Sequence, residues 1–203
     1  TGAIDVITSE HSVNAIYLRP GTPARVPTVL NAHSLMYNWS LNHLQMNASD
    51  HVWRDRLYLS TLRRYEQRYA QQFSHVVVTT SDDREALRQM APNIPATVIP
   101  NGVDLDMFPY RDGDPGGRQI VFVGAMDGSH NIDAARFFVT AVWPPLRRRY
   151  PDLEFSIIGA RPTPAVLKLG AVPGVNVTGK VPSVVDYLHR AVACVVPLRT
   201  GFG

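Results

Sequence analysis

The chain has 203 residues, of which 45% are hydrophobic and 18% are charged, and its formal net charge is +3. This composition is typical of a globular protein with an ordinary core and excludes a disordered or fibrous chain. No apolar run approaches the roughly 20 residues of a membrane-spanning helix, the first residues do not resemble a secretory signal, and the charge is too slight to indicate a nucleic-acid partner. We therefore expect a cytoplasmic protein that does not bind nucleic acid.

Short strands alternate with helices along the chain. The runs that predict strands are, in chain order, AIDVIT, PTVLNA, HVVVTT, ATVIP, QIVFVG, LEFSIIG, VNVTGKV and ACVVPL. Most of them are separated by segments whose apolar residues recur with a period near 3.6, which predicts helices. Strands that are apolar on both faces and alternate with helices are typical of parallel sheets covered on each side. The predicted fold class is doubly wound α/β.

Helix starts and one cysteine add local detail. Ser81 is predicted to cap the helix DDREALRQM, and Ser183 the helix VVDYLHRAV. The single cysteine, Cys194, lies in the predicted strand ACVVPL, so we expect it to be a buried apolar residue.

The segment DHVWRDRLYLSTLRRYEQRYAQQF predicts a basic helix. Its arginines are Arg54, Arg56, Arg63, Arg64 and Arg68. Its apolar stripe consists of Tyr58, Leu62, Tyr65, Tyr69 and Phe73. Such a stripe usually packs on a core. A basic helix with flanking aromatic residues can instead rest on an anionic membrane surface, and both interpretations stay open.

A domain boundary is predicted in residues 100–118, PNGVDLDMFPYRDGDPGGR, where Pro, Gly and Asp interrupt the alternation. We divide the chain into residues 1–107 and 108–203. Each half is small for a complete doubly wound domain, so we expect both to be cut short. The pairs Asp104 with Asp106 and Asp112 with Asp114 could hold a divalent metal, but turn chemistry is the favoured interpretation and no metal site is expected.

Ligands of doubly wound sheets bind where the strands end. His11 and His33 each follow a predicted strand, and this placement makes His33 a candidate catalytic residue as well as a candidate structural one. Gly124 ends a strand, and a helix is predicted to open near Asn131, where its amino end would offer N–H groups to a phosphate. Because no GxGxxG motif accompanies these residues, a turn that serves only chain geometry is an equal alternative.

Four segments carry a family resemblance: VVVTTSDDREALRQM, VIPNGVDLDMF, IVFVGAMDGSHNIDAARFFVTAVWPPLRRRYPDLEFSIIGARP and VNVTGKVPSVVDYLHRAVACVVPLRTGFG. They resemble retaining glycosyltransferases of the GT-B fold, of the family-4 or group-1 kind that makes bacterial cell-surface polysaccharides. Enzymes of this family have two Rossmann-like domains, the first for the acceptor and the second for the nucleotide-sugar donor. The resemblance covers nearly the whole chain.

The resemblance implies particular roles. His33 matches the family histidine that approaches the transferred sugar and is the implied catalytic residue. The implied donor-binding residues are Gly124, Asn131, Arg161, Gly179, Lys180, Val181, Arg199, Gly201 and Gly203. Many relatives carry Arg and Lys where this chain has Ala125 and His130, so neutralisation of the diphosphate would depend on residues after Gly203, or on Arg161 and Arg199 if they point inward. Further family residues are expected after Gly203 and before Thr1.

The implied function is retaining transfer of a sugar from a nucleoside-diphosphate sugar to an acceptor hydroxyl in polysaccharide or glycolipid synthesis, without a metal or other cofactor. A lipid-linked acceptor and peripheral contact with the inner face of the membrane fit the basic helix. The alternatives are a nucleotide-sugar epimerase on the same fold and a non-catalytic nucleotide-sugar-binding fragment. We expect these 203 residues alone to be inactive.

Overall fold

The computed structural model describes residues 3–19, 22–45 and 51–199. The chain forms two compact units, one within Thr1–Gly102 and the other within Val103–Arg199. In each unit the described residues form a four-stranded sheet whose strand pairs are all parallel. No helix among the described residues combines the length and the apolar character needed to cross a membrane. The predicted α/β fold class with parallel sheets is confirmed.

The first unit has strand order β1-β2-β3-β4. Its elements are β1 (Ile7–Glu10), 3-10 turns at Ser12–Tyr17 and Thr22–Ala24, β2 (Thr28–His33), α1 (Met36–Gln45), α2 (Val52–Ala70), β3 (His75–Val78), α3 (Ser81–Met90) and β4 (Ala96–Val98).

The second unit has strand order β7-β6-β5-β8. Its elements are β5 (Gln119–Val123), α4 (Ser129–Phe137), a π turn (Phe138–Val142), α5 (Trp143–Arg149), β6 (Glu154–Ile158), α6 (Pro164–Leu167), a 3-10 turn (Lys168–Ala171), β7 (Val175–Gly179), α7 (Val185–Arg190) and β8 (Ala191–Cys194). Because Pro144 and Pro145 have no N–H groups, they interrupt the helical hydrogen bonds, and the chain widens into the π turn just before them.

Each sheet has its own core. In the first unit Leu30, Val76 and Val78 are buried under the helices together with Leu87. In the second, the Phe155 ring packs against Phe138 at a centroid distance of 4.3 Å and against Trp143 at 5.8 Å. The Trp143 indole N–H donates to the Pro173 carbonyl at 3.1 Å, so this large ring is buried without an unpaired donor. Both cores are aromatic or aliphatic, as the apolar runs predict.

Two predicted element starts differ from the structure by a few residues. The first strand was expected at residues 3–8, but β1 begins at Ile7, whose N–H donates to the Pro27 carbonyl as β2 begins. Helix α3 is capped by Thr80 and not by Ser81: the Thr80 hydroxyl accepts from the Asp83 N–H at 3.1 Å. Helix α7 has Val184, and not Ser183, at its N-cap position, although the Ser183 hydroxyl accepts from the Val185 N–H at 3.1 Å.

Two burial predictions are corrected. Cys194 was predicted to be buried but is exposed, because β8 lies at the edge of the sheet that the described residues form and only its first residue, Ala191, is buried. The apolar stripe of α2 packs on the core only through its C-terminal part: Tyr69 and Phe73 are buried, whereas Tyr58 and Tyr65 are exposed.

Candidate functional site

A histidine and a carboxylate meet at the carboxyl ends of β1 and β2. The Nε2 atom of His33 lies 2.9 Å from Glu10 Oε2. The Asn31 side-chain amide donates to the same carboxylate oxygen at 3.0 Å. The His11 ring stacks on the His33 ring, with centroids 4.3 Å apart. The structure thus brings together the two histidines that the sequence singled out and adds Glu10 and Asn31 to them.

The backbone of His33 is held in an unusual conformation. His33 has a φ of 56°, in the left-handed region that non-glycine residues rarely adopt, and the ladder between β2 and β3 shifts register between Asn31 and His33. The His33 carbonyl accepts a hydrogen bond of 2.5 Å from the Thr79 hydroxyl. A conformation of this kind costs about 1–3 kcal/mol and persists where its surroundings enforce it. It turns the His33 ring toward Glu10.

The pairing defines the hydrogen-bonding state of the imidazole. An ionised carboxylate can only accept, so His33 Nε2 donates to Glu10. Nδ1 is then the ring atom left to accept from a ligand, or to donate to one when the ring is protonated. The two side chains are 40% and 59% exposed, so the pair contributes little to stability and mainly orients the ring.

Glycine main chain forms part of the carboxyl edge of the second sheet. The Gly124 N–H donates to the Ile158 carbonyl at 3.0 Å, and the Gly159 N–H donates to the Gly179 carbonyl at 3.1 Å. A Cβ atom on Gly159 would lie 1.7 Å from the Gly124 carbonyl oxygen, so the two backbones touch. Gly179 has a φ of 69°, and a Cβ there would meet nothing within 4 Å, which leaves its main chain open on one side. Gly159 was missed although it ends the predicted strand LEFSIIG.

Asn131 organises the turn after β5. Its side-chain amide donates to the Ala125 carbonyl at 2.9 Å. A Cβ atom on Gly124 would lie 3.0 Å from this amide. The Asn131 side chain therefore occupies the space beside Gly124.

Both candidate arginines of the second unit are paired with aspartates. Arg161, with a φ of 54°, bonds Asp127 through Nε and Nη2, and Arg199 bonds Asp133 with a 2.9 Å contact from Nε to Oδ2. The Arg161 guanidinium lowers the pKa of Asp127 below its usual range. The two cations therefore do not stand alone at this edge, and the aspartates that hold them were not predicted.

The remaining candidate residues do not share one environment. Lys180 is exposed next to Gly179, and Val181 packs against the small cluster around Ile158. Gly201 and Gly203 lie outside the described residues. In the interdomain segment, Asp104 Oδ1 accepts from the N–H groups two and three residues later, at 3.0 and 3.1 Å, which is turn chemistry. Within residues 3–19, 22–45 and 51–199 no group of three metal-ligating side chains comes together.

The sequence matches two family models. Residues 1–107 match Glycosyltransferase Family 4, and residues 117–203 match Glycosyl transferases group 1. No curated protein has a significant sequence match to this chain.

Solved structures share the fold. TarM matches with a TM-score of 0.66 and 11% identity over 93% of this chain and 35% of its own. A trehalose-6-phosphate structure from E. coli bound with UDP-2-fluoro glucose matches with a TM-score of 0.63 and 13% identity over 99% of this chain and 54% of its own. The UDP-forming alpha,alpha-trehalose-phosphate synthase of Burkholderia xenovorans, in complex with glucose-6-phosphate, gives 0.59 and 16%, over 98% and 54%.

This chain spans about a third to about half of the length of those structures. Their likeness shows a Rossmann-like GT-B fold, in agreement with the two parallel sheets. The Family 4 model covers 107 of the 203 residues, which is more than half of the chain. The chain belongs to glycosyltransferase family 4.

Proposed function

We propose that the protein transfers a sugar, with retention at the anomeric carbon, from a nucleoside-diphosphate sugar to an acceptor hydroxyl. In this reaction the bond from the anomeric carbon to the diphosphate oxygen breaks, a bond to the acceptor oxygen forms, and the acceptor proton passes to the departing diphosphate. The observation that carries the proposal is the pair of family matches along the chain, over residues 1–107 and 117–203. The solved relative with bound UDP-2-fluoro glucose supports a nucleotide-sugar donor.

The first unit supplies the group proposed to meet the sugar. His33 is half-exposed and oriented by Glu10, so its Nδ1 can hydrogen-bond a sugar hydroxyl or the departing oxygen. A hydrogen bond that strengthens as the leaving group separates stabilises the transition state more than the bound substrate. We therefore assign His33 as the catalytic residue of the proposed reaction.

The second unit supplies the groups proposed to bind the diphosphate. Helix α4 begins after Gly128 without a side-chain cap and without acidic residues in its first turn. Its amino end therefore offers N–H groups and a favourable dipole to an anion. The open main chain of Gly179 and the exposed Lys180 lie at the same sheet edge. These groups can neutralise the leaving diphosphate, so the proposed reaction uses no metal.

The proposed acceptor is lipid-linked or part of a surface polysaccharide, reached at the inner face of the membrane. Its support is the solvent-facing side of α2, where Trp53 is 73% and Leu57 is 68% exposed. Arg64 and Arg68 lie further along the same face and are exposed. Apolar and basic residues on one face suit an anionic lipid surface. Binding to phosphatidylglycerol vesicles that persists in Arg64→Gln would contradict this assignment.

Turnover measurements test the proposed reaction. The full-length protein is incubated with UDP-glucose, UDP-N-acetylglucosamine or GDP-mannose and candidate acceptors, and nucleoside diphosphate is measured with and without EDTA. We expect acceptor-dependent release that EDTA does not change. His33→Ala should lower turnover by about two orders of magnitude, the scale of a lost transition-state hydrogen bond or proton-transfer group.

His75→Ala is the matched control. His75 begins β3 at the opposite edge of the same sheet and hydrogen-bonds Thr97 at 2.9 Å. Equal losses in the two variants would remove His33 from the site. Conversion of the donor in the absence of any acceptor would instead support the epimerase, and donor binding with neither reaction would support a non-catalytic protein.

A further inference from the structure

Helix α1, which follows His33, has no cap of its own. The residue at its N-cap position is Leu35, whose carbonyl accepts from the Trp39 N–H at 3.1 Å. A leucine side chain cannot accept hydrogen bonds, so the first amides of this helix need partners from elsewhere.

A carboxylate on α2 supplies two of these partners. Glu66 accepts from the Met36 N–H at 2.7 Å through Oε1 and from the Tyr37 N–H at 3.1 Å through Oε2. Glu66 is buried, with 3% of its surface exposed. The Glu66 side chain thus accepts hydrogen bonds from two consecutive amides of α1, one with each carboxylate oxygen.

A carboxylate on α3 also accepts hydrogen bonds from the start of α1. Asp83 Oδ1 accepts from the Leu35 N–H at 3.4 Å and from the Asn38 side-chain amide at 3.2 Å. Its Oδ2 accepts from the Thr80 hydroxyl at 2.9 Å. Asp83 is 4% exposed, so it too is inside the unit. We call Glu66 and Asp83 the carboxylate clamp.

Burying two carboxylates inside a small domain lowers the free energy of unfolding, because both groups lose their contact with water. Burial raises the pKa of Glu66 to about 7, although the N–H groups of Tyr37 and Met36 act in the opposite direction, and Asp83 raises it further. Well-packed apolar residues at buried charged positions are often as stable or more stable. The clamp therefore fixes geometry at a cost, and the geometry that it fixes lies beside the candidate site.

The clamp is connected to His33 through very few bonds. Only Ser34 separates His33 from Leu35. The His33 carbonyl is held by Thr79, and the neighbouring Thr80 is bonded to Asp83. The segment that carries His33 is therefore anchored on both sides of its left-handed residue.

We propose that Glu66 and Asp83 are positioning residues that hold the start of α1 and thereby keep His33 turned toward Glu10. They do not touch the substrate. They act through the backbone of residues 33–37, where the strained φ of His33 would otherwise relax. The catalytic consequence of the clamp rests on the function proposed for His33, whereas its effect on the geometry of His33 does not.

Hydrogen exchange and NMR of the full-length protein test the geometry. Glu66→Gln keeps one acceptor and Glu66→Met keeps none, so the amides of Met36 and Tyr37 should exchange at least about tenfold faster in the methionine variant, with glutamine between. The side-chain NMR signal of His33 should move in the same order. Glu85→Gln is the control, because Glu85 lies exposed on α3 and pairs with Arg88.

The controls for folding are the amides of Val76 and Val78 in β3. Their protection should be retained in Glu66→Gln and in Asp83→Asn. Unchanged exchange at Met36 and Tyr37, or an unmoved His33 signal beside faster exchange, would overturn the proposal. If the methionine variant does not fold, the glutamine and Asp83→Asn variants decide alone.

Kinetics of the full-length protein test the consequence for catalysis. Glu66→Gln should lower kcat by about tenfold and leave the KM for the donor unchanged, since the lost positioning affects a group that acts in the transition state. A wild-type protein without transferase activity would defeat the proposed function but leave the NMR result standing. An active protein whose kcat is the same in Glu66→Gln would defeat the positioning role.

Discussion

The carboxyl edges of the two sheets differ in what surrounds the backbone N–H groups at the start of the following helix. In the first unit the helix after β2 has its first amides occupied by Glu66 and Asp83, and side chains line the edge. In the second unit α4 starts without a side-chain cap, and glycine backbone lines the edge. An anion cannot compete with two carboxylates for the same amides, but it can approach a helix start whose N-cap residue, Gly128, has no side chain. This difference supports the diphosphate site that we propose in the second unit.

The largest expected effect comes from a substitution that disrupts the contact between the Gly159 and Gly124 backbones. A Cβ in Gly159→Ala would lie 1.7 Å from the Gly124 carbonyl oxygen, and Gly159 has a φ of 155°. Both backbones would have to move, so we expect the second unit to lose more than about 3 kcal/mol of unfolding free energy. Urea unfolding followed by the buried Trp143 measures this loss.

Gly102→Ala is the control for that substitution. A Cβ at Gly102 would meet nothing within 4 Å. Its effect should stay within about 0.5 kcal/mol. If Gly159→Ala is equally mild, the two backbones are not in contact and the glycine edge is not a packed structure.

The next effect concerns Glu66 in the first unit and depends on pH. The pKa of Glu66 is raised from 4.5 to about 7 by burial, so the folded protein binds a proton there that the unfolded chain has already released. The contribution of Glu66 to stability is therefore greatest below about pH 4.5 and falls as the pH rises to about 7, by roughly 3 kcal/mol at 1.36 kcal/mol per unit. The groups beside Glu66 are Asp83 and Tyr69, and proximity to Glu66 helps to raise the pKa of Tyr69.

Unfolding free energies between pH 4 and pH 8 measure this contribution. The comparison is between the wild type and Glu66→Gln, because other groups titrate in both proteins and cancel in the difference. If the difference in unfolding free energy between the two proteins does not change with pH, the pKa of Glu66 is the same in the folded and unfolded states and burial does not raise it.

Features that depend on local sequence were predictable, and features that depend on distant contacts were not. The alternating apolar runs predicted the parallel α/β fold, and strand-end placement made His33 a candidate, because both follow from the order of residues. Glu10 stands 23 positions from His33, and Asp127 stands 34 positions from Arg161, so neither pair could be recognised before the strands were aligned. Cys194 was mispredicted because its sequence does not reveal that β8 lies at the edge of the sheet that the described residues form.

The smallest expected effect sharpens the assignment of the diphosphate. Arg161 and Asp127 form an exposed ion pair at the carboxyl edge of the second sheet, and Arg118 and Asp152 form one beside the opposite ends of the same strands. Exposed pairs contribute little to folding, so Asp127→Asn and Asp152→Asn should leave Tm unchanged. Only Asp127→Asn frees a guanidinium near the proposed anion site.

Binding of UDP and GDP, measured by calorimetry at low and high salt, distinguishes the two variants. Asp127→Asn should tighten nucleotide binding by less than about tenfold, an advantage that shrinks as salt screens the freed charge. Arg161→Gln should weaken binding, and Asp152→Asn should match the wild type. Equal tightening by both aspartate variants would mean that general charge attracts the nucleotide. Tightening confined to Asp127→Asn would instead localise the diphosphate beside the amino end of α4, where the helix dipole and a single released cation act on the same anion.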